Sequence, residues 1–309
     1  MAMSFLSPKI LSTCRRMAEA KIVVLIIVWW IASTLTSEFS KDEISITEQS
    51  FGNIIWLDLT FLQSIVGCLG SAILLVLFKR RLFGLKIIRS YNSLVAIATN
   101  VIGHLPVNVS YAFVSSRVTQ VIKSTELLFT LFFVLYQQQV EDKKKQRVTA
   151  SVFVSIMLMS LGMTLFMSNR ERNVYGIVAA VVSSILFPLR NIALKRAHEQ
   201  LYNGAIEKYF NLSFYDATGL LPLVIFNFFL SYNALNLSFN TITSGTFHGL
   251  YNLASISVLE HVTPLNHALL NFCKRLLEFT FSIRYFNVLP WQMVTGFVIV
   301  FFWSWDISY

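Results

Sequence analysis

Two adjacent cations, Lys274 and Arg275, lie ten or eleven residues into an apolar run of about twenty residues. A helix needs ~20 apolar residues to cross a bilayer, so the pair falls near the centre of a predicted span. Placing one cation there costs about 2.5–3.5 kcal/mol even on insertion scales, and a central side chain cannot reach the interface. The planar fork of Arg and the compact charge of Lys together suit a dianionic phosphate. We therefore expect the pair to face an anion-binding cavity.

An internal ion pair is the alternative for these cations. Glu278 follows Lys274 by four residues and Arg275 by three, so all three share one helix face. One carboxylate cannot neutralise two cations, and a net positive charge would remain. The sequence therefore favours a ligand site over a purely structural pair.

A second group of ionisable residues lies in residues 104–126, which form two apolar helices joined by a very short turn. His104, Lys123 and Glu126 are placed where a membrane span normally carries no such groups, which indicates a functional site. Lys123 and Glu126 are three residues apart and could instead pair with each other. His104 is a satisfied core residue, a donor to a ligand or a group that exchanges protons.

Tyr251 and Arg190 complete the candidate residues. Tyr251 places a phenolic donor on an otherwise apolar face, with simple packing as the alternative. Arg190 lies late in a predicted span, where it either lines a path or approaches the aqueous interface. The other histidines show no metal-ligand spacing, and neither a Gly-rich phosphate loop nor a catalytic Ser/His/Asp arrangement is recognisable. The sequence thus predicts no metal, no cofactor and no enzyme.

Ten apolar runs are available to position these residues. The chain has 309 residues, of which 55% are hydrophobic and 13% charged, against roughly 25% charged in soluble domains. We expect an all-α membrane protein in which an N-terminal segment, residues 1–21, precedes a single domain over residues 22–305. The predicted spans are 22–37, 56–78, 91–112, 118–138, 148–168, 174–194, 208–230, 239–259, 264–283 and 288–305.

The charges of the connecting segments predict the orientation of the chain. Residues 38–51 are predicted to form an acidic loop, whereas 79–90, 141–147 and 195–208 are basic. Lysine and arginine bias sets orientation, so both termini are expected to be cytosolic, and the net charge of +9 reflects topology rather than nucleic-acid binding. Residues 1–21 predict no long transit peptide, while leaving room for a very short one.

Ten spans divide into two halves of five, about 22–168 and 174–305, whose orientations in the membrane are opposite. A trace of this repeat is that Gly103-His104 precedes Val118-Thr119 much as Gly249-Leu250-Tyr251 precedes Val262-Thr263. Inverted repeats place the solute site between the halves, near the midplane. The repeat therefore predicts that Lys123 joins the Lys274-Arg275 pair in one cavity.

These two blocks resemble the triose-phosphate (sugar-phosphate)/phosphate translocators of the drug/metabolite transporter superfamily. The intervals of nineteen residues from His104 to Lys123 and of twenty-three from Tyr251 to Lys274 agree with the family's motif. The matching residues are Gly103-His104, Val109-Ser110, Lys123-Ser124, Glu126, Tyr251-Asn252, Leu259-Glu260, Thr263-Pro264-Leu265, His267-Ala268, Asn271 and Lys274-Arg275. The paired Lys-Arg is the most diagnostic, since nucleotide-sugar relatives typically have Lys-Thr there.

The resemblance implies an antiporter that exchanges inorganic phosphate for a triose phosphate or similar sugar phosphate by alternating access. It implies that Lys123, Lys274 and Arg275 bind phosphate while His104 and Tyr251 hold the solute. Arg190 is a weaker transfer, because the alignment is loose there. Pro106, Val107 and Glu278 depart from the family's pattern.

The resemblance also implies an organellar membrane, either a plastid-type envelope or ER/Golgi. Two other readings of the same residues remain. One is a nucleotide-sugar transporter of the same fold, and the other is a membrane-embedded enzyme whose cations bind a phosphorylated lipid.

Overall fold

The computed structural model describes residues 8–51, 55–79, 90–140, 173–201, 204–231 and 238–283. Within these ranges the chain is α-helical, without strands. The helices are α1 (Pro8–Phe51), α2 (Ile55–Lys79), α3 (Tyr91–Phe113), α4 (Ser116–Lys123), α5 (Glu126–Val140), α6 (Val174–Leu201), α7 (Ala205–Ser231), α8 (Phe239–His261) and α9 (Pro264–Ile283).

Six segments of the described chain are long and apolar enough to cross a membrane, which agrees with the predicted all-α membrane class. They are Glu19–Ile44, Ile55–Phe78, Tyr91–Phe113, Val118–Gln137, Val174–Ala197 and Ala205–Phe229. Six predicted spans coincide with them: 22–37, 56–78, 91–112, 118–138, 174–194 and 208–230.

The other four predicted spans are not among these segments. Spans 239–259 and 264–283 are helices α8 and α9, which are too polar to qualify in a search of the described residues. Their polarity has a reason in the sequence, because α9 carries two cations and a carboxylate and α8 is rich in Ser, Thr, Asn and His. Spans 148–168 and 288–305 lie outside the described residues.

The acidic loop predicted over residues 38–51 is wrong, because α1 continues through that segment to Phe51. Two of its charged residues, Lys41 and Glu43, bond to groups of other helices. The Ser238 hydroxyl donates to Glu43 Oε2 at 2.5 Å. Lys41 Nζ donates to the backbone oxygens of Tyr111 and Val114, at the end of α3. This extension therefore ties α1 to α3 and α8 at one end of the helix bundle.

The span predicted over residues 118–138 is interrupted after Lys123. Helix α4 ends there, Ser124 and Thr125 form a turn, and α5 begins at Glu126. The hydroxyls of Ser124 and Thr125 donate to the backbone oxygens of Val121 at 2.6 Å and Ile122 at 2.7 Å. Such local bonds compete with the helical hydrogen-bond pattern. The break leaves Lys123 and Glu126 in two different helices.

The two short turns predicted by the repeat trace are present and have the same form. Helices α3 and α8 are each followed by a valine with extended backbone, Val114 (φ −137°, ψ 162°) and Val262 (φ −119°, ψ 164°). In each turn the next residue, Ser115 or Thr263, accepts a backbone N–H of the following helix. Two alike helix–turn–helix units thus carry the two blocks of candidate residues.

The burial pattern places many polar side chains inside the bundle, beside its apolar core, and exposes many large apolar side chains on the outside. Asn100, Asp216 and Arg275 are buried, whereas Val24, Phe78 and Phe229 are exposed. Helix α3 packs along α6, α1 along α8, and α2 against both α7 and α8. Exposed apolar side chains around a polar interior are expected of a protein surrounded by lipid.

Candidate substrate-binding site

A cavity of about 50 Å³ lies among α1, α2, α3, α4, α8 and α9. Fourteen of its fifteen lining residues are polar, and Val107 is the exception. A water molecule occupies ~10–15 Å³ on this measure, so there is room for roughly three to five oxygen-sized groups, about one phosphate. The polar lining residues are Ser33, Thr36, Ser37, Ser40, Gln63, His104, Asn108, Tyr111, Gln120, Lys123, His248, Tyr251, Lys274 and Arg275.

Five of the six residues singled out in the sequence line this cavity: His104, Lys123, Tyr251, Lys274 and Arg275. They come from α3, α4, α8 and α9. The three cations are all buried, with exposed fractions of 9% for Lys123, 6% for Lys274 and 4% for Arg275. Cations from two separate parts of the chain therefore converge on one small polar space.

Each cation is held in a different way. Lys274 Nζ donates to Ser33 Oγ at 2.7 Å and lies 5.6 Å from the centre of the Trp29 ring. Arg275 forms an ion pair with Glu126, while its Nη1 has no hydrogen-bond partner in the described structure. Lys123 Nζ lies 5.0 Å from the centre of the Phe187 ring, and no described residue accepts a hydrogen bond from it. Donor capacity therefore remains for an anion.

Two carboxylates lie near the cations, Glu126 and Glu278, and neither forms the ion pair that its sequence spacing suggested. Glu126 accepts from Arg275 and from Asn271 Nδ2, the latter at 2.8 Å, so the Lys123–Glu126 pair is wrong. The expected pair fails because residues three apart share a face only within one continuous helix, and the chain breaks between α4 and α5. Glu278 accepts from Thr34 Oγ1 at 3.4 Å rather than pairing with either neighbouring cation in the described structure.

His104 belongs to a buried hydrogen-bond chain that sequence reasoning missed. Its Nδ1 lies 2.8 Å from Asp216 Oδ2, and Asn100 Nδ2 donates to the same oxygen at 2.6 Å. Asp216 is only 2% exposed in α7. Because the carboxylate accepts, His104 carries its hydrogen on Nδ1. The signal was present in the sequence, since an acid inside an apolar span marks a functional candidate.

Arg190 is the candidate that the structure does not place on the cavity wall. Its guanidinium is buried in α6, where Nη1 donates to Asn100 Oδ1 at 2.9 Å and Nε donates to Asn191 Oδ1 at 3.1 Å. Through Asn100 and Asp216 it is connected to His104. Arg190 therefore holds Asn100, which shares the Asp216 carboxylate with His104, and it does not approach the aqueous interface.

The sequence analysis also missed the uncharged part of the cavity wall. Gln63 Nε2 donates to Ser40 Oγ at 3.0 Å, and Asn108 Nδ2 donates to Gln63 Oε1 at 3.1 Å. Neutral amides and hydroxyls are common in spans and carry no distinctive spacing, so no sequence signal pointed to them. In a search of the described ranges, no group of three or more His, Cys, Asp or Glu side chains could hold a metal ion.

Comparison with known proteins places this geometry in context. A model of the Triose-phosphate Transporter family matches residues 20–302. A xylulose 5-phosphate/phosphate translocator of Arabidopsis thaliana, described as chloroplastic, is 28% identical over 199 residues, 60% of this chain and 46% of that protein. A triose phosphate/phosphate translocator of Flaveria trinervia, also chloroplastic, is 26% identical over 210 residues, 63% of this chain and 49% of that protein.

The chain spans about half the length of these curated relatives. A solved crystal structure of another protein aligns with a TM-score of 0.60 at 10% identity, covering 94% of this chain and 99% of the other. At that identity the likeness concerns the fold alone.

Proposed function

Because the chain belongs to the Triose-phosphate Transporter family, we propose that it exchanges inorganic phosphate for a triose phosphate or similar sugar phosphate across an organellar membrane. Relatives named as phosphate translocators for triose phosphate and xylulose 5-phosphate support this activity. The single observation that carries it is the convergence of Lys123, Lys274 and Arg275 on one buried polar cavity.

Phosphate binds between the three cations. Arg275 offers its unpartnered Nη1, and the two lysines contribute compact charges. A hydrogen bond to a charged group contributes about 1.5–3 kcal/mol, so three such contacts suffice for a transportable ligand. Tyr251 and His104 line the same cavity. The cavity widens to admit a whole sugar phosphate, and these two residues contact the rest of the solute. Arg190 holds Asn100 and, through it, the Asp216–His104 pair.

Transport proceeds by alternating access in a ten-helix protein with two inverted five-helix repeats. The alike units α3–α4 and α8–α9 support the repeat. Two sets of interhelical bonds are suited to be the gates. Lys41 and Glu43 tie α1 to α3 and α8 at one end, and Lys195 bonds the last carbonyls of α8, Leu259 and Glu260, at the other. Each set must open in turn.

Exchange is strict because of the charge balance in the cavity. Three cations and two carboxylates, Glu126 and Glu278, leave a formal charge of +1 before an anion binds. Like charges held in a medium of low dielectric repel strongly. A bound phosphate offsets that repulsion, so the loaded protein changes its orientation far faster than the unloaded one.

The protein is an integral multi-pass membrane protein of a plastid-type envelope or of ER/Golgi. The chloroplastic relatives and the apolar spans support this placement. The basic segments 79–90, 141–147 and 195–208 favour a cytosolic position for both termini.

The test uses the purified full chain in liposomes preloaded with phosphate. Labelled phosphate should enter these vesicles and should be displaced by triose phosphates. Fast uptake into vesicles that contain no phosphate would contradict strict exchange. Exchange of nucleotide sugars alone would support the nucleotide-sugar reading, and product formed from a phosphorylated lipid in detergent would support an enzyme.

A further inference from the structure

The cavity wall has an uncharged part at some distance from the cations, formed by Ser40, Gln63 and Asn108 and called here the amide pole. Helix α1 links the two parts, because Ser33 accepts from Lys274 and Ser40 accepts from Gln63. Seven residues of helix separate Ser33 from Ser40, or about 10 Å along the axis. A phosphate bound by the cations does not reach the amide pole, so another part of the solute does.

The backbone carbonyl of Trp56 fixes the orientation of two side-chain amides, those of Asn108 and Gln63. Thr60 Oγ1 donates its only hydrogen to Trp56 O at 2.5 Å, so it can only accept from Asn108. The group that Asn108 presents to Thr60, at 2.9 Å, must therefore be its NH₂. The same NH₂ donates to Gln63 Oε1, which turns the Gln63 NH₂ toward Ser40 and Ser244.

This arrangement leaves a buried acceptor on the cavity wall. Asn108 is 4% exposed, and its Oδ1 receives no hydrogen bond from the described part of the chain. Ser40 and Ser244 lie 2.8 Å apart and share one hydrogen, so one of the two hydroxyls keeps a hydrogen to donate. Asn108 lines the cavity, and its Oδ1 is not among the fully buried polar atoms that lack a partner in the described structure. The atom is therefore open to the cavity, where a ligand group that donates a hydrogen bond is favoured.

A hydroxyl group matches the amide pole and a carboxylate does not. A hydroxyl donates its hydrogen to Asn108 Oδ1 while accepting from a serine. An ionised carboxylate has no hydrogen to donate and places negative charge against the amide oxygen. A solute with an anionic group at each end therefore meets Asn108 with an anion in either orientation.

We propose that the amide pole binds the hydroxyl-bearing end of the solute and makes the transporter select phosphorylated polyols and ketoses over phosphorylated carboxylic acids. This inference rests on the proposed phosphate exchange. Asn108 is the residue that sets the preference, and Thr60 and Gln63 hold its amide in the required orientation.

The test compares two competitors that differ at one carbon. Glycerol 3-phosphate ends in CH₂OH where 3-phosphoglycerate ends in a carboxylate. Each is titrated against phosphate–phosphate exchange in proteoliposomes of the full chain. Glycerol 3-phosphate is expected to inhibit at a concentration at least about tenfold lower, the effect of one hydrogen bond. Equal potency, or a preference for 3-phosphoglycerate, would overturn the inference.

Two variants locate the effect. Asn108→Leu keeps the side-chain size without the acceptor, and should bring the ratio of the two competitors to about one in the exchange that remains. Thr60→Val leaves the acceptor but removes the hydroxyl that fixes the orientation of the Asn108 amide, and should weaken the preference.

The outcomes against the inference are specific. A preference that is fully retained by Asn108→Leu or by Thr60→Val contradicts the assigned role of the amide pole. Phosphate–phosphate exchange that fails in the unaltered protein refutes the proposed function instead.

Discussion

Glu126→Gln separates the phosphate site from an ordinary buried ion pair. The Glu126 carboxylate accepts from Arg275 and Asn271 through the same atom, Oε2. A glutamine oxygen can accept both hydrogen bonds, so the substitution removes the charge and little else. The formal charge of the cavity then rises from +1 to +2, counting Lys123, Lys274 and Arg275 against Glu278.

The size of the effect follows from the ion pair. Two unit charges 4 Å apart interact by about 4 kcal/mol at an effective dielectric constant of 20. Removing one partner of a buried pair costs about 3–5 kcal/mol, because the other charge is left uncompensated. A bound phosphate recovers part of this by taking the place of the lost carboxylate charge. We expect Glu126→Gln to bind phosphate ~10–100-fold more tightly, which is about 1.4–2.7 kcal/mol.

The assay has two readouts and a matched control. Thermal unfolding of the detergent-purified protein should show a lower midpoint than the unaltered protein without phosphate and a larger rise on adding phosphate. Exchange in proteoliposomes should saturate at lower phosphate and turn over more slowly, because tighter binding appears chiefly as slower release.

The control for that assay is Glu260→Gln, which removes the carboxylate that pairs with Lys208 at 2.7 Å, away from the cavity. It should change stability but not the affinity for phosphate. If Glu126→Gln binds phosphate no better than the control does, the cations do not form the phosphate site.

The remaining predictions concern the cations, the histidine and one gate. Lys274→Ala and Arg275→Ala should each lower phosphate exchange at least about 100-fold, the loss of about two charge-assisted hydrogen bonds, while the unfolding midpoint shows that both remain folded; retained exchange would remove them from the site. Asp216→Asn, which weakens the support of His104 Nδ1, should raise the KM for sugar phosphates about tenfold and that for phosphate less, and an equal rise for both would contradict a role of His104 toward the solute. Lys195→Met, which removes the bonds to the end of α8, should increase the labelling, from the side of that gate, of a cysteine introduced into the cavity wall. Unchanged labelling would exclude a gating role.

The sequence located the cations and the two helical units because both depend on local information. An ion inside an apolar run is unusual by composition alone, and a turn of two residues between helices is visible from helix lengths. The partners of these ions could not be predicted in the same way. Glu126 was assigned to Lys123 from their spacing, but the hydroxyls of Ser124 and Thr125 end α4 between them.

Residues 38–51 were misread for a related physical reason. Their acids suggested a solvated loop, yet Ser238, almost two hundred residues away, donates to Glu43 and helps keep the segment helical against its neighbours. Asp216 shows the same limit of local sequence information, since its structural role is a hydrogen bond to His104 that joins α7 to α3. Local patterns identify which groups are unusual, whereas the fold decides which groups they meet.

The unequal environments of the three cations bear on how a phosphate can be both bound and released. Arg275 keeps its carboxylate partner and Lys274 its serine, so an anion adds to contacts that already exist. Lys123 Nζ donates no hydrogen bond to a described residue and lies over the face of Phe187, an interaction of about 0.5–2 kcal/mol. The anion therefore gains most from Lys123, at the break between α4 and α5. In the proposed mechanism, a change in the angle of that break would move Lys123 relative to the α9 cations and so couple phosphate binding to helix movement without dismantling either supported cation.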